Sequence, residues 1–162
     1  MDWSNLFNRI RSEIGRYRRA LPKLRGLDRA DWRELGRAQL ALFRAQAAIR
    51  GQPTGEMVHD AEPVSIPGVA DRLNDARRIA LAVNRAATYG LFRPKCLARS
   101  MALRQLLNED GIEEARVRVG VQLTSGRFVA HAWVEYAGQV VGDDPARVAH
   151  YAPLGVTVAD FE

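Results

Sequence analysis

The sequence predicts an α+β fold, in which helices come first along the chain and an antiparallel sheet follows. Two observations predict it. Apolar residues recur at helical spacing up to about residue 108, whereas beyond residue 115 they alternate with polar residues, the two-residue period of a half-buried strand. Strands that follow one another through tight turns pair as a meander, and helices segregated from such a sheet define the α+β class.

The first fifty residues are expected to form two helices. The first ends near Pro22 and Gly26, and the second has Asp28 or Asp31 as its N-cap and stops at Gly51. The apolar residues at helical spacing are Trp3, Leu6, Phe7, Ile10 and Ile14 in the first helix, and Trp32, Leu35, Leu42, Phe43 and Ile49 in the second. A stripe of this kind more often packs into a core than binds a ligand.

Prolines and glycines suggest how the chain is divided. Residues 53–67 contain three prolines and a glycine with little periodicity, which favours a linker or a long loop. We therefore expect an N-terminal helical region at residues 1–52 and a core module at residues 68–162. In that module, an amphipathic helix is predicted for residues 69–87, and residues 96–108 form a helix that is apolar on more than one face, as in a domain interior.

Two hairpins are predicted after these helices. Residues 117–123 and 128–136 alternate as strands, and the three residues 124–126 form the turn between them. Gly138 marks a second turn, which leads into residues 139–142.

Composition excludes several classes of protein. The lone cysteine, Cys96, can form neither an internal disulfide nor a thiolate zinc site by itself, and we expect no metal and no cofactor. No glycine-rich phosphate-binding loop is present. No apolar run approaches the roughly 18 residues of a membrane span, and the N-terminus does not resemble a signal peptide, so we expect a cytoplasmic protein.

The net charge of +5 comes largely from arginine. A basic group near the N-terminus would attract an acidic peptide, a protein partner or nucleic acid. No pattern of an RNA-recognition or helix-turn-helix module accompanies it, so we expect no nucleic-acid partner, and a solvated face is the simplest interpretation. The group consists of Arg9, Arg11, Arg16, Arg18, Arg19, Lys23 and Arg25.

Cys96 is predicted to lie in the first turn of a buried helix. Pro94 favours extended backbone just before it, and the apolar helical pattern begins at about the same place. Unpaired N–H groups and the positive end of the helix dipole stabilise a thiolate there, and the same N–H groups would receive a developing oxyanion. The alternative is an inert, buried cysteine, since free cysteine is among the most buried residue types.

His131 is the candidate base for this nucleophile. It lies in the second strand on the same face as Trp133, and a polar side chain in so apolar a setting needs a partner. Trp133 would shield the ion pair, line a substrate-binding cleft or simply pack in the core. The other two histidines, His59 and His150, are expected at the surface.

The turn of the second hairpin decides which carboxylate orients His131. If the loop has three residues and Glu135 pairs with Gln139, then Asp143 lies directly opposite His131. A loop of two residues would place Asp144 opposite instead, but it requires an alanine in the left-handed conformation. We therefore predict Asp143 and keep Asp144 as the alternative. A nucleophile, a base and a carboxylate that fixes the base's tautomer meet the needs of nucleophilic catalysis.

Two segments of the chain resemble the transglutaminase-like B2 proteins of lasso peptide biosynthesis: CLARSMALRQLLNEDGIEEARVRVGVQL and FVAHAWVEYAGQVVGDDP. The resemblance covers roughly residues 90–155. It implies a papain-like, transglutaminase-like core, in which a central helix carries Cys96 and a small antiparallel sheet carries His131 and Asp143. It also implies a cysteine peptidase that cuts a ribosomally made precursor peptide between its leader and its core.

The resemblance implies partners as well. They are the precursor peptide, a separate leader-recognition protein of the B1 type, and the ATP-dependent macrolactam synthetase that closes the ring. The N-terminal region shows no strand meander of a built-in recognition domain, which implies the split form of these systems. Residues 1–52 are the expected docking region for the separate protein. Two other functions stay open: a transglutaminase-like acyl transferase, and a non-catalytic scaffold that holds the precursor.

Overall fold

A computed structural model describes residues 28–51, 58–60 and 72–158, together with Gly26. The helices of this part are α1 (Arg29–Gly51), α2 (Leu73–Tyr89), α3 (Cys96–Glu109) and α4 (Pro145–Val148). Its strands are β1 (Val58–Asp60), β2 (Arg116–Thr124), β3 (Arg127–Tyr136), β4 (Gln139–Val141) and β5 (Ala152–Val158). The α+β prediction is confirmed. The helix expected before Pro22 lies outside the described residues.

The helix α1 begins at a carboxylate cap, as the sequence predicts. Asp28 Oδ1 accepts the N–H of Asp31 at 2.8 Å, and Asp31 Oδ2 lies 3.4 Å from the N–H of Asp28. Leu42 on this helix is fully buried. Leu35 and Ile49 pack against the same core, whereas Trp32 is 51% exposed and Phe43 is 44% exposed. The predicted stripe thus packs into the core only in part.

Helices α1, α2 and α3 pack on one another, and α3 also packs on the sheet. Small residues allow the close approach, and the buried set includes Ala38, Ala41, Ala45, Ala76, Ala80, Ala86, Ala98 and Ala102. Larger side chains such as Leu107, Val117 and Val134 fill the space between α3 and the sheet. Within the described part of the chain, no helix has the length and apolarity that a membrane crossing requires.

The described strands form one antiparallel sheet in the order β1-β5-β2-β3-β4. Residues 58–60 of the predicted linker thus form an edge strand that pairs with β5. The rest of that segment lies outside the described residues, and the division into three regions remains a prediction. Along β3, Ala132 and Val134 belong to the core cluster with the helices, whereas His131 alternates to the other face.

The turn between β2 and β3 is one residue shorter than predicted. Thr124 pairs with Arg127, so the turn consists of Ser125 and Gly126 alone. Both have positive φ angles, 51° and 76°. A two-residue turn with two left-handed residues matches the right-handed twist of the strands, which explains why it prevails over a three-residue loop.

The turn between β3 and β4 departs from the prediction in the same way. Gln139 pairs with Tyr136 and not with Glu135, so the turn consists of Ala137 and Gly138. Their φ angles are 50° and 71°. The three-residue loop is therefore wrong. The twist of the strands outweighs the cost of one left-handed alanine, which is about 1–2 kcal/mol.

Candidate active site

Cys96 is the first residue of α3, where the sequence predicts it. Lys95 before it is extended, with φ −73° and ψ 168°, and supplies no side-chain cap. The first backbone hydrogen bond of the helix runs from Arg99 N to Lys95 O at 3.1 Å. The N–H groups of the first turn thus have no side-chain cap from Lys95. The thiol is free, partly exposed and packed against the core.

His131 and Asp143 form a hydrogen-bonded pair. His131 Nε2 lies 2.8 Å from Asp143 Oδ2, and the two side chains are 11% and 7% exposed. The other carboxylate oxygen accepts the N–H of Asp144 at 2.7 Å and the guanidinium of Arg147. Burial opposes ionisation of Asp143, but these hydrogen bonds and the charge of Arg147 outweigh it, so its pKa lies below the usual value. The carboxylate is therefore charged near neutral pH.

Asp143 reaches His131 by a different route from the predicted one. With Val134 opposite Val141, continued pairing would bring Asp144 to His131, but β4 ends at Val141. The chain turns at Gly142, whose φ is +78°. Asp143 therefore meets His131 through a turn beyond the end of β4. The alternative residue, Asp144, is the N-cap of α4 and accepts a backbone N–H of that helix at 3.0 Å.

Cys96 and Asp143 line one small cavity between α2, α3 and β3. Its volume of about 20 Å³ holds about one water molecule. His131 has the rings of Tyr151 and Trp133 as neighbours, at centroid distances of 5.0 and 6.3 Å. Among the described residues, no hydrogen bond joins His131 to Cys96. The structure thus joins two of the three predicted residues directly and brings Cys96 to the same cavity as Asp143.

Trp133 is 3% exposed and lies over β2. Its Nε1 donates to Glu135 Oε1 at 2.8 Å, and a Cβ on Gly120 would lie 2.8 Å from its Cη2 atom. The ring therefore packs against a strand position that needs glycine. Trp133 also lines the cavity beside Cys96, and its predicted role in substrate binding remains a prediction.

The remaining histidines do not join the pair. His150 is exposed, as predicted, and its Nδ1 lies 2.7 Å from the carbonyl of Ala146. The side chain of His59 lies outside the described part. In the described ranges, no group of three or more His, Cys, Asp or Glu side chains is arranged to hold a metal ion.

The sequence interpretation missed a polar network behind Asp143. Arg99 Nη2 donates to Asn84 Oδ1 at 2.8 Å, and Asn84 Nδ2 donates to the carbonyl of Gly142 at 2.9 Å. These bonds tie α3 and α2 to the turn that carries Asp143. A signal was present, because Asn84 lies four residues after the buried Ala80, where the apolar face of the helix predicts an apolar residue.

Arg147 and Gly142 were missed as well. Arg147 follows Asp143 by four residues, the spacing at which side chains meet across one helical turn. Gly142 lies close to the helices, since a Cβ there would be 2.8 Å from Leu103 Cδ2 and 3.2 Å from the Cβ of Ala80. A glycine directly before the aspartate was the available signal for a tight turn.

A helix that begins at a cysteine, followed by an antiparallel sheet with a His–Asp pair, is the arrangement of a transglutaminase-like core. The family model described as the transglutaminase-like superfamily matches residues 39–156, which is more than half of the chain. The chain therefore belongs to the transglutaminase-like superfamily. The family resemblance read from the sequence is confirmed.

Part of the chain is also similar to one curated protein. The chain is 40% identical over 55 residues to the microcin J25-processing protein McjB of Escherichia coli. That match covers 34% of this chain and 25% of McjB, so it spans about a quarter of the relative's length. No solved structure matches the chain significantly.

Proposed function

We propose that this protein is a cysteine peptidase that removes the leader from a ribosomally made lasso peptide precursor. The observation that carries the proposal is the hydrogen-bonded pair of His131 and Asp143, next to a cavity lined by Cys96 at the start of a helix. Membership of the transglutaminase-like superfamily supports it. So does the partial match to a protein named for processing microcin J25.

The proposed reaction has two steps. His131 takes the thiol proton of Cys96, the thiolate attacks the carbonyl carbon of the scissile bond, and the first-turn N–H groups of α3 receive the oxyanion. His131 gives its proton to the leaving amine as the C–N bond breaks, which leaves a thioester. Water then attacks the thioester, gives a proton to His131 and displaces the sulfur. The products are two peptides, one with a new carboxylate.

Asp143 orients the imidazole in this proposal. As a charged, buried acceptor on Nε2, it leaves Nδ1 of His131 for proton transfer and stabilises the imidazolium. Arg147 and the Asp144 N–H hold its second oxygen, so the carboxylate has little freedom to rotate. Catalytic hydrogen bonds often tighten when substrate binds, and the bond between Cys96 and His131 is expected to form in the peptide complex.

The partners belong to the proposal too. A B1-type protein would bring the leader to this peptidase, and a macrolactam synthetase would take the freed core peptide, both in the cytoplasm. Residues 1–52 would dock the recognition protein. Deletion of residues 1–27 should then weaken binding and cleavage, and unchanged binding and cleavage in that truncation would remove this docking assignment.

Mass spectrometry of the precursor peptide tests the activity. The peptide is incubated with this protein and the recognition protein, and wild type is compared with Cys96→Ala and His131→Ala. Both variants should leave the leader attached, whereas His150→Ala, a matched exposed histidine, should cleave at the wild-type rate. Equal processing by Cys96→Ala, or binding without cleavage by the wild type, would favour the scaffold function.

The same mixture distinguishes hydrolysis from acyl transfer, which the name of the superfamily keeps as a second candidate. Glycine ethyl ester is added as an amine acceptor. A hydrolase gives a free carboxylate as the main product even with the amine present. A product that carries the amine in preference to water would identify a transferase.

A further inference from the structure

An open cleft of about 380 Å³ lies beside the proposed site, between α2, α3 and the turn that carries Asp143. Three of its lining residues are arginines, Arg77, Arg99 and Arg147. Two are aspartates, Asp143 and Asp144, and the second of these caps α4. Positive charge therefore exceeds negative charge in this cleft, and one further carboxylate would balance it.

The arginines differ in how fully they are paired. Arg147 binds Asp143. Arg77 Nη2 donates to the neutral side chain of Gln139 at 2.9 Å. Within the described part of the chain, neither Arg77 nor Arg99 has a carboxylate partner. The two arginines without a carboxylate partner are thus on α2 and α3.

Arg99 has donors to spare. A guanidinium carries five N–H donors, and Asn84 accepts one of those of Arg99, at Nη2. The Nε atom of Arg99 is buried and has no hydrogen-bond partner. A buried donor without an acceptor costs stability, and a carboxylate is the ligand that accepts two guanidinium N–H groups at once.

Arg99 also connects the cleft to the proposed nucleophile. It follows Cys96 by three residues on α3, and it lines both the open cleft and the small cavity that Cys96 shares with Asp143. A peptide with its scissile bond at Cys96 would therefore have a neighbouring side chain within reach of this guanidinium.

We propose that this cleft binds a carboxylate of the peptide substrate, an aspartate or glutamate side chain close to the cleaved bond. Arg99 is the main contact and Arg77 adds charge. The inference rests on the proposed function for the identity of the ligand as a peptide. The site itself is defined by the arginines and does not depend on the chemistry at Cys96.

Direct binding tests this inference without any cleavage. Two blocked pentapeptides are titrated into the full chain, one with a central glutamate between alanines and one with glutamine in its place. The chain carries Cys96→Ala, so that no peptide is cut, and the Nε–Hε resonances of its arginines are followed by NMR. The glutamate peptide should bind about tenfold more tightly, the gain typical of one charge-assisted hydrogen bond, and should shift the Arg99 resonance.

Variants make the test specific. Arg99→Gln should remove the preference for glutamate, and Arg77→Gln should reduce it about threefold, as for a supporting charge at a surface. Arg78→Gln is the matched control, since Arg78 is exposed on α2 and does not line the cleft; it should leave the preference unchanged. If Arg99→Gln fails to fold, Arg77→Gln and the comparison of the two peptides decide the matter.

Two results would overturn the inference: equal affinity for the two peptides, or a glutamate preference that Arg99→Gln leaves intact, with Arg77→Gln taking its place if Arg99→Gln fails to fold. Failure of the proposed function looks different. Cleavage that depends on Cys96 together with equal binding of both peptides would reject the carboxylate site alone. Glutamate-selective binding to Arg99 in a protein that cuts no precursor would reject the peptidase alone.

Discussion

Substitution of Gly142 tests how the turn that carries Asp143 is held, because an added Cβ there would face both an unfavourable backbone conformation and close packing. Its φ of +78° disfavours any side chain, and a Cβ would lie 2.8 Å from Leu103 Cδ2 and 3.2 Å from the Cβ of Ala80. A left-handed alanine costs about 1–2 kcal/mol, and an overpacked methyl group costs about 1–3 kcal/mol. We therefore expect Gly142→Ala to lower the free energy of unfolding by about 2–5 kcal/mol.

Gly138 provides the matched control at the other end of β4. Its φ is +71°, nearly that of Gly142, but a Cβ there would meet no atom within 4 Å. Gly138→Ala should therefore cost about 1–2 kcal/mol, the backbone part alone. Urea unfolding followed by tryptophan fluorescence measures both values, and an unchanged slope shows that the denatured state is not affected.

The activity should separate the two variants further. Gly142→Ala displaces the turn that holds Asp143 against His131, so cleavage should fall more than stability alone explains, whereas Gly138→Ala should cleave normally once folded. Shortening Leu103 to alanine removes the clashing atom, so Gly142→Ala should cost less in that background, by on the order of 1 kcal/mol. Equal destabilisation by the two glycine variants would refute the packing argument.

Three further outcomes are expected. The pKa of Asp143 is lowered in the folded state, so the ionised side chain stabilises the protein at pH values above 3.8, the pKa in the unfolded chain. This stabilisation is lost as the pH falls through the folded pKa. Asp143→Asn should therefore flatten the acid side of the stability profile in urea titrations at several pH values. Asn84→Ala should slow precursor cleavage more than tenfold while lowering unfolding stability by about 1 kcal/mol, because it frees the carbonyl of Gly142, and Asn84→Asp should not restore the rate. Ala137→Asn should raise the free energy of unfolding by roughly 1 kcal/mol, since Asn–Gly is the preferred two-residue turn. A destabilised variant would contradict the turn geometry.

The helices and strands were predictable because their periods are strong. The start of α3 at Cys96 follows from an apolar pattern that begins just after Pro94, and β2 and β3 follow from the alternation in residues 117–123 and 128–136. The burial of individual positions was not predictable, because Trp32 and Phe43 share the helical spacing of Leu42 but are exposed. Periodicity gives the face of a helix and not the extent of the surface that covers it.

The structure contains the predicted contact between His131 and Asp143, but not the hairpin register from which it was predicted, and the role of the pair in catalysis remains a prediction. The prediction of the hairpin register rested on the energetic cost of a left-handed alanine, which is a local property of the chain. The sheet twist favoured the shorter turn, and a second turn at Gly142 then returned Asp143 to His131. The contact of Asn84 with Gly142 joins residues far apart in the chain: a polar residue on an apolar helix face marks Asn84, but the local pattern does not give its partner.

The attachment of Asp143 has a mechanical consequence. Asn84 and the close packing of Gly142 attach its turn to the helices, whereas His131 belongs to the sheet. The hydrogen bond between His131 and Asp143 therefore joins the helical layer of the domain to the sheet. A substitution that loosens the packing between these two layers, even one as distant as Leu107→Ala, should therefore lengthen the hydrogen bond between His131 and Asp143.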